Sequence, residues 1–454
     1  MYEFFVNSFR YFFAFYIVYF LWQGVCFVLI ERGKISKSKK LPVIKQQITI
    51  VFIHIKAFAI LAFQGSESGS MFNGAGVVFS TTPLLIGGSW LVLFALSLLL
   101  QNKFYKNSCP LIWNGLFFLT SVSLIILTRL EIGLASRQSL WLLVALTASM
   151  ILPLFIYFVP KLERLELLYL FAGLGLLLST FVFGTEDFGA MRWIQIGGFT
   201  FSPAELVSFS YIFYLASVFR KKLTFKQLIF PSLMAVAHVV ILVAQVNLGG
   251  ALIFFMSYMI IMYTATGREL LFLAGIALFI AGAFVAYELF AHVQIRVAIW
   301  RNPWADAHGI GYQIIQSLFA IGTWGAFGSG LTLGLPHAVP VVARDMTFAA
   351  IAEELGAIFA MGLIGVYIMI FYRGVHIALR CKRRYYSLLA VGFTGVIAFQ
   401  TFLIIGGTIN LIPLTGVTLP LISYGGSSLV MTIIKISMLQ WIFNFYENEE
   451  NEMI

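Results

Sequence analysis

The chain has 454 residues, of which 60% are hydrophobic and only 11% are charged, and its formal net charge is +10. With a mean hydropathy of +0.94, this composition excludes a water-soluble globular protein and indicates a membrane protein with many spans. Apolar runs of roughly 17 to 25 residues, the length that crosses a bilayer, recur from end to end with short polar connections. The sequence leaves no room for a soluble domain.

About thirteen spans are predicted in chain order from the apolar runs. Lys and Arg favour the cytoplasmic side, so the basic residues between Arg32 and Lys40 place the N-terminus outside. Alternation from there puts four unusual segments on the outer face: 184–202, 245–250, 291–346 and 406–424. The predicted spans are 4–30, 43–64, 81–101, 112–130, 139–159, 166–184, 203–219, 229–246, 249–266, 270–290, 347–372, 386–407 and 426–444.

The basic residues cluster at predicted cytoplasmic helix ends, which favours anionic lipid headgroups as their partners and argues against nucleic acid. Cys26, Cys109 and Cys381 show no CxxC spacing, so we interpret them as packing residues without a disulfide or a metal site. The first residues lack a basic region and a small-residue cleavage site, so the first span is expected to be retained.

The first two outer segments contain polar residues with two possible explanations. Arg192 and Trp193 precede a helix that opens with Pro203 and Glu205, where the acid suits the helix dipole. The alternative for Arg192 and Trp193 is anchoring at the membrane interface. The second segment centres on Asn247, and its Asn and Gly residues predict a tight turn with positive φ angles.

The third outer segment is too long for a simple connection and too aromatic for disorder, which favours a function. Gln313, Gln316 and Ser317 share one face of a predicted short amphipathic helix. The apolar residues of that helix, Ile314, Ile315, Leu318 and Phe319, are expected to dock onto the helix bundle.

The same segment ends in Arg344 and Asp345, at the start of the next span. An aspartate is a preferred N-cap residue, so Asp345 could have a purely structural role. Glu353 and Glu354 lie about two turns deeper, where capping cannot explain them, and ionisable groups at that depth usually mark a site.

The fourth outer segment is interrupted by proline and glycine and predicts a re-entrant stretch, with Ser423 and Ser427 near its end. Irregular backbone at membrane depth persists where it is buried in protein or lines a wet cavity. We therefore expect this segment to form a wall of an outward-facing cavity.

Five motifs in order, at 189–193, 203–205, 311–317, 345–356 and 413–428, resemble the SEDS family (shape, elongation, division and sporulation), which includes FtsW, RodA and SpoVE. The resemblance covers about residues 112–445. It implies an all-α polytopic membrane protein with a ten-helix core and about three extra N-terminal transmembrane helices. The expected division is an N-terminal transmembrane extension (1–110), a SEDS-like core (111–445) with a large extracytoplasmic loop (291–346), and a cytoplasmic acidic tail (446–454).

The resemblance also implies a peptidoglycan glycosyltransferase of the bacterial plasma membrane. Such an enzyme joins lipid II units at the outer face and works with a class B penicillin-binding protein, the transpeptidase. Asp345 aligns with the acid regarded as catalytic in the family. The candidate substrate-binding residues are Arg192, Trp193, Glu205, Arg301, Gln313, Gln316, Ser317, Arg344, Glu353, Ser423 and Ser427.

The donor sugar of such a reaction leaves as a lipid diphosphate, which needs charge neutralisation more than a proton. One carboxylate base for the acceptor hydroxyl would therefore suffice. Arg192, Arg301, Arg344 or a bound divalent cation such as Mg²⁺ or Mn²⁺ could offset the diphosphate charge. No other cofactor is implied.

The chain departs from the family pattern at four places. Ser208 stands where the family usually has lysine, three residues beyond the Pro-x-Glu acid, and Asn247 stands where it usually has aspartate. Met346 follows Asp345 in place of phenylalanine, and Ile404 replaces a common asparagine. The acids Asp345, Glu205, Glu353 and Glu354 are all retained.

Two other functions compete with catalysis. A transporter that moves lipid-linked precursor across the bilayer would also have many spans with buried charges. However, the polar features gather on the predicted outer face, whereas a flippase should expose comparable groups to both sides. The other alternative is a non-catalytic scaffold that recruits the transpeptidase. The motifs do not distinguish division, elongation and sporulation.

Overall fold

A computed structural model describes residues 2–63, 79–105, 107–159, 161–187, 190–197 and 199–451. These residues form fifteen α-helices and one three-stranded sheet. The helices are α1 (Tyr2–Glu31), α2 (Lys40–Ala62), α3 (Thr82–Phe104), α4 (Pro110–Leu130), α5 (Ile132–Phe158), α6 (Glu166–Phe183), α7 (Pro203–Phe219), α8 (Phe225–Ala244), α9 (Leu248–Thr266), α10 (Glu269–Leu289), α11 (Ala291–Arg301), α12 (Tyr312–Thr323), α13 (Thr347–Arg380), α14 (Arg384–Thr408) and α15 (Gly426–Asn451). The strands are β1 (Gly184–Asp187), β2 (Ala190–Ile196) and β3 (Phe199–Phe201).

Within the described residues, twelve helices are long and apolar enough to cross a membrane. The helix α7 is equally apolar but has only 17 residues. Each of the thirteen predicted spans therefore corresponds to one helix, and the protein is a multi-pass membrane protein. The helix α10 has no buried residue, which places it at the lipid-facing edge of the bundle.

The helix α4 lies at the centre of the bundle and is buried along nearly its whole length. It packs against α2, α5 and α13, and α13 in turn packs against α1 and α14. Large side chains such as Trp113 and Phe117 fill the space between these helices. The core around α4 is thus shared by the first three helices and the rest of the chain.

Polar contacts also join the first three helices to the rest of the bundle. Asn114 on α4 donates to Gln46 on α2 at 3.0 Å, and His54 on α2 contacts the hydroxyl of Ser121 on α4 at 2.7 Å. At the far end, Arg373 pairs with Glu31, the last residue of α1. Hydrogen bonds between buried groups in a membrane protein fix the relative position of the helices.

The predicted all-α fold is confirmed, but the first outer segment also contains a short sheet that the sequence did not predict. Strand β2 pairs in antiparallel fashion with both β1 and β3. The strands have four, seven and three residues, which is too short for a clear alternating pattern in the sequence. The sheet presents Arg192 and Trp193 next to the start of α7.

The predicted turn at 245–250 is present, but the prediction of its backbone was wrong. The positive φ belongs to Val246, at 59°, and not to the Asn or Gly residues. Asn247 has φ −100° and is the N-cap of α9, where its side chain accepts a hydrogen bond from the Gly250 N–H at 3.1 Å. The need to cap α9 decides the conformation of Asn247.

The long helix α13 is interrupted at Gly356, whose φ is 86° and ψ is 167°. The broken backbone is paired with the stretch 325–330, since Ser329 N donates to Glu353 O at 2.8 Å and Ala357 N donates to Gly325 O at 3.1 Å. A Cβ on Gly356 would lie 2.4 Å from the Gly328 nitrogen. Glycine at 356 therefore permits this close pairing, which we call the Gly356 break.

The two other sequence predictions about local structure are confirmed in part. The amphipathic helix with Gln313, Gln316 and Ser317 is α12, with Ile314 and Ile315 buried and Phe319 half exposed. The re-entrant stretch between α14 and α15 is non-helical. Of the predicted tail 446–454, α15 extends to Asn451, and residues 452–454 lie outside the described residues.

Candidate active site

Asp345 lies just before α13, at the end of the loop that follows α12. The N-cap position of α13 is occupied by Met346 and has no side-chain capping hydrogen bond. The backbone of Asp345 is held on both sides, because its N–H donates to Val341 O at 3.1 Å and its carbonyl accepts from Thr408 Oγ1 at 3.5 Å. Capping therefore does not account for the Asp345 carboxylate.

Three charged side chains meet around Gly416 of the re-entrant stretch. A methyl group placed on Gly416 would lie 3.7 Å from Asp345 Oδ2, 3.7 Å from Arg296 Nη2 and 3.8 Å from Arg192 Nη1. The φ of Gly416 is 69°, which glycine adopts without strain. We call Asp345, Arg192 and Arg296 the Asp345 cluster.

The two arginines of the Asp345 cluster are fixed by backbone carbonyls. Arg296 Nη1 donates to Leu414 O of the re-entrant stretch at 3.0 Å, and Arg192 Nη2 donates to Val246 O at 2.8 Å. The arginines come from α11 and β2, so three distant parts of the chain assemble the cluster. Such a held arrangement is pre-organised to face charge that develops in a reaction.

The electrostatic environment of Asp345 contains two opposed effects. Burial raises the pKa of Asp345, and the guanidinium groups of Arg192, Arg296 and Arg344 lower it. The net result is a pKa above the ordinary aspartate value. A carboxylate with a raised pKa is, in its ionised form, a stronger base than an exposed aspartate.

A cavity of about 90 Å³ adjoins the Asp345 cluster. Arg192 belongs to the cluster and also lines the cavity, as does Gly416, around which the cluster lies. Strand β2 and helices α7, α9, α14 and α15 contribute its walls. Glu205 lies in this cavity and its Oε2 is 3.8 Å from Nζ of Lys435 on α15. The other polar lining residues are Ser202, Ser208, Asn247, Gln400, Thr418, Ser427 and Ser428.

The structure places four predicted site residues in contacts that position the walls. Gln313 donates to Pro340 O at 3.3 Å, and Ser317 donates to Thr408 O at 2.9 Å.

Ser423 contacts the hydroxyl of Thr347 at 3.2 Å. Ser427 lines the cavity and accepts from the N–H of Ser202 at 3.3 Å, and Trp193 lines the same cavity.

Glu353 and Glu354 lie deeper, in contacts with the loop that leads to Asp345. Glu353 accepts a hydrogen bond from the Leu335 N–H at 2.7 Å. Glu354 pairs with Arg129 of α4 at 2.8 Å, and Arg129 also donates to Gly334 O at 3.2 Å. Both acids thus anchor the loop that delivers Asp345.

Arg301 of α11 is a predicted site residue, whereas Arg296 of the same helix is the one that belongs to the Asp345 cluster. Residues five apart on an α-helix point in directions about 140° apart, so one helix face cannot hold both. Arg301 is exposed at the end of α11, Arg344 is also exposed, and Gln316 is half-buried. Lys435 was missed too, because a single lysine in an apolar span carries no motif.

The residues at this site do not suit a protein-bound divalent cation. Within the part of the chain that the structure describes, no three His, Cys, Asp or Glu side chains form a group able to hold a metal. Asp345 faces two arginines, whose charges repel a cation and attract an anion. We derive no step through a metal.

Known proteins resemble this chain in sequence and in fold. RodA from Mycobacterium tuberculosis, named a peptidoglycan glycosyltransferase, is 34% identical over 382 residues, which cover 78% of this chain and 81% of RodA. Stage V sporulation protein E from Bacillus subtilis is 34% identical over 261 residues, 55% of this chain and 70% of that protein. The crystal structure of Thermus thermophilus RodA matches with a TM-score of 0.54 and 25% identity, covering 73% of this chain and 95% of RodA.

A chain from a structure described as "Structural coordination of polymerization and crosslinking by a peptidoglycan synthase complex" matches with a TM-score of 0.57 and 25% identity, over 80% of this chain and 98% of that chain. The family model FtsW/RodA/SpoVE, described as "Cell cycle protein", matches residues 103–448. The match leaves α1, α2 and most of α3 outside it. The predicted family is confirmed, and the chain belongs to the FtsW/RodA/SpoVE (SEDS) family.

Proposed function

We propose that this protein is a peptidoglycan glycosyltransferase that polymerises lipid II into glycan strands, with Asp345 as the general base. The observation that carries the proposal is the convergence of Asp345, Arg192 and Arg296 around Gly416. The relatives named peptidoglycan glycosyltransferase support the same activity.

In the proposed reaction, the hydroxyl of the acceptor sugar attacks the anomeric carbon of the donor. The new glycosidic bond forms while the bond from that carbon to the diphosphate oxygen breaks. The hydroxyl proton passes to the Asp345 carboxylate, and the lipid diphosphate leaves as an anion. No acid is required for the leaving group because the diphosphate is stable as an anion.

Arg192 and Arg296 have the charge and the geometry to hold the diphosphate. Guanidinium groups bind phosphate oxygens through two parallel N–H donors. Both arginines are tethered to backbone carbonyls, so they need little rearrangement when the substrate arrives. The same arginines lower the pKa of Asp345 against the effect of burial, which favours its ionised form.

The proposed site faces the outside of the plasma membrane, and the C-terminus is cytoplasmic. Asp345 precedes the first residue of α13, whereas Arg380 ends that helix and is followed by Lys382 and Arg383. Basic residues favour the cytoplasmic side, which puts the Asp345 end outside. We divide the chain into an extension at 1–110, a core at 111–445 and a tail at 446–454.

The proposed partner is a class B penicillin-binding protein that crosslinks the glycan. The similarity to a chain from a peptidoglycan synthase complex supports this proposal, because that complex combines polymerisation with crosslinking. Co-purification of the tagged chain with the transpeptidase from the same cells tests the partnership. Recovery of the chain without any transpeptidase would contradict it.

The decisive experiment compares wild type with Asp345→Asn in the presence of labelled lipid II and the transpeptidase partner. Asparagine keeps the size of the side chain but cannot accept the hydroxyl proton. We expect the rate of glycan synthesis to fall by at least about a hundredfold, the range of general-base contributions. Asp306→Asn is the matched control, because Asp306 is an exposed aspartate of the same outer segment.

Three outcomes are distinguishable in this assay. Loss of polymer in Asp345→Asn but not in Asp306→Asn supports catalysis. An undiminished rate in Asp345→Asn refutes the role of Asp345. If neither form makes polymer but both move lipid II between leaflets, the protein is a transporter and the proposed function is wrong.

A further inference from the structure

The cavity next to the Asp345 cluster contains a lysine that the proposed mechanism does not use. Lys435 comes from the middle of α15, and its side chain is only 1% exposed. Its Nζ lies 3.8 Å from Oε2 of Glu205, which is 21% exposed in the same cavity. The pair joins the last helix of the bundle to the first turn of α7.

A buried lysine within a membrane span is energetically costly, and an apolar residue of the same length would fill the space without that cost. Removing one partner of a buried ion pair leaves an uncompensated charge, so a substitution of either residue destabilises the protein. The position of Lys435 in the lining of this cavity therefore indicates a role in the site.

The ammonium and the carboxylate of the pair lie beyond direct hydrogen-bonding distance. At 3.8 Å the ammonium and the carboxylate attract each other without a direct hydrogen bond. Lysine has three N–H donors, and one of them can serve the carboxylate through a bridging oxygen. Gln400 and Ser428 line the same cavity.

The helix that carries Glu205 supplies no cation of its own at the cavity. Ser208 lies three residues further along α7, on the same face as Glu205, and lines the cavity. Its hydroxyl donates to the Glu205 carbonyl at 2.7 Å, so it satisfies its own helix. A lysine at position 208 could reach the Glu205 carboxylate from within α7.

We propose that Lys435 is a positioning residue, which holds the Glu205 carboxylate in the cavity from α15 and takes the place of a cation at position 208. This inference rests on the proposed function for its kinetic consequence. Lys435 pairs with Glu205 and is not part of the Asp345 cluster, so we assign it to substrate binding and not to proton transfer.

The proposal is tested by moving the positive charge from α15 to α7. Lys435→Met removes the ammonium but keeps the length of the side chain. The double variant Lys435→Met with Ser208→Lys returns a cation to the cavity from α7. We expect Lys435→Met to raise KM for lipid II by about tenfold with little change in kcat, and the double variant to restore KM.

Lys56→Met is the matched control for loss of a lysine from a membrane span. Lys56 lies on α2, where its ammonium contacts the rings of Phe9, Phe12 and Phe52. Lys56 is not among the residues that line the cavity, so the KM of Lys56→Met should equal that of wild type. An unchanged KM in Lys435→Met, or a failure of Ser208→Lys to restore KM, would overturn the proposal.

The melting temperature tests the pairing of Lys435 with Glu205 even if the protein makes no polymer. Lys435→Met should lower the melting temperature by leaving Glu205 unpaired, and adding Glu205→Gln should recover part of the loss. Strictly additive losses from Lys435→Met and Glu205→Gln would show that the two residues are uncoupled and would overturn the inference. Absence of polymer with non-additive melting temperatures would reject only the proposed function.

Discussion

Arg129 and Glu354 form a buried ion pair at 2.8 Å that ties α4 to α13 below Asp345. Arg129 also donates to Gly334 O at 3.2 Å, so one guanidinium holds both the helix and the loop that leads to Asp345. The pair connects the stability of the bundle to the position of the proposed base.

Replacing Arg129 with methionine should destabilise the protein by about 3 to 5 kcal/mol, because Glu354 would be left as an uncompensated buried charge. Thermal unfolding in detergent measures the loss. The double variant Arg129→Met with Glu354→Gln should recover much of it, since neither charge remains. A double variant as unstable as the single one would show that the ion pair is not the cause.

Gly356→Ala should destabilise the protein and reduce polymer synthesis. The φ of Gly356 is 86°, and an added Cβ would meet the Gly328 nitrogen at 2.4 Å, so the pairing of the Gly356 break must open. We expect a loss of at least about 1 to 3 kcal/mol, the usual cost of one strained residue.

Gly282→Ala is the control for this substitution. Gly282 lies in α10, and a Cβ there would have no heavy atom within 4 Å. Alanine in that helix should leave the melting temperature unchanged or raise it slightly. Equal effects at positions 282 and 356 would refute the requirement for glycine at the Gly356 break.

The pH dependence of kcat should show an acid limb set by Asp345. Burial raises the pKa of this carboxyl, and Arg192 and Arg296 lower it. The carboxylate is the active form, so activity is lost as the pH falls through the raised pKa. Arg296→Met removes a cation that stabilises the carboxylate, so the pKa rises further and the limb moves to higher pH.

The contribution of His292 to the pH profile must be distinguished from that of Asp345. Burial, together with Arg296 and Arg192, lowers the pKa of His292. The imidazole therefore stays neutral down to a lower pH than an ordinary histidine does. His292→Gln should therefore leave the acid limb in place. A limb that disappears in His292→Gln would assign it to the histidine.

Cysteine labelling checks the proposed orientation. The native Cys26 and Cys381 are replaced by alanine and Cys109 by serine, which can still accept the hydrogen bond from Arg373. In intact cells, a membrane-impermeant maleimide should label Asp306→Cys and not Lys382→Cys. Labelling of Lys382→Cys alone would place the Asp345 cluster on the cytoplasmic side.

Sequence alone predicted the helices and the segments that build the site, because long apolar runs and breaks by Pro and Gly are local signals. It could not choose Arg296 over Arg301, since that choice depends on which face of α11 meets the re-entrant stretch. The pairing of Lys435 with Glu205 joins residues more than 200 positions apart, and no local pattern reports it.

Local signals also failed where backbone pairing decides the structure. The strands around Arg192 are too short to show an alternating pattern. The Gly356 break is invisible in the sequence of α13, because its cause is the approach of Gly328 from another segment. The sequence also could not show that Glu353 accepts a hydrogen bond from the Leu335 backbone, since the two residues meet only in the folded chain.

The contacts of the first three helices restrict how this protein can evolve. Asn114 and Ser121 of α4, and Arg373 of α13, find hydrogen-bond partners on α1 and α2, which lie outside the stretch shared with the family. A gene shortened to that stretch would turn an amide, a hydroxyl and a guanidinium toward hydrocarbon. We therefore expect the first three helices to be required for a stable fold, and a substitution at one of these contacts to need a compensating change in its partner residue.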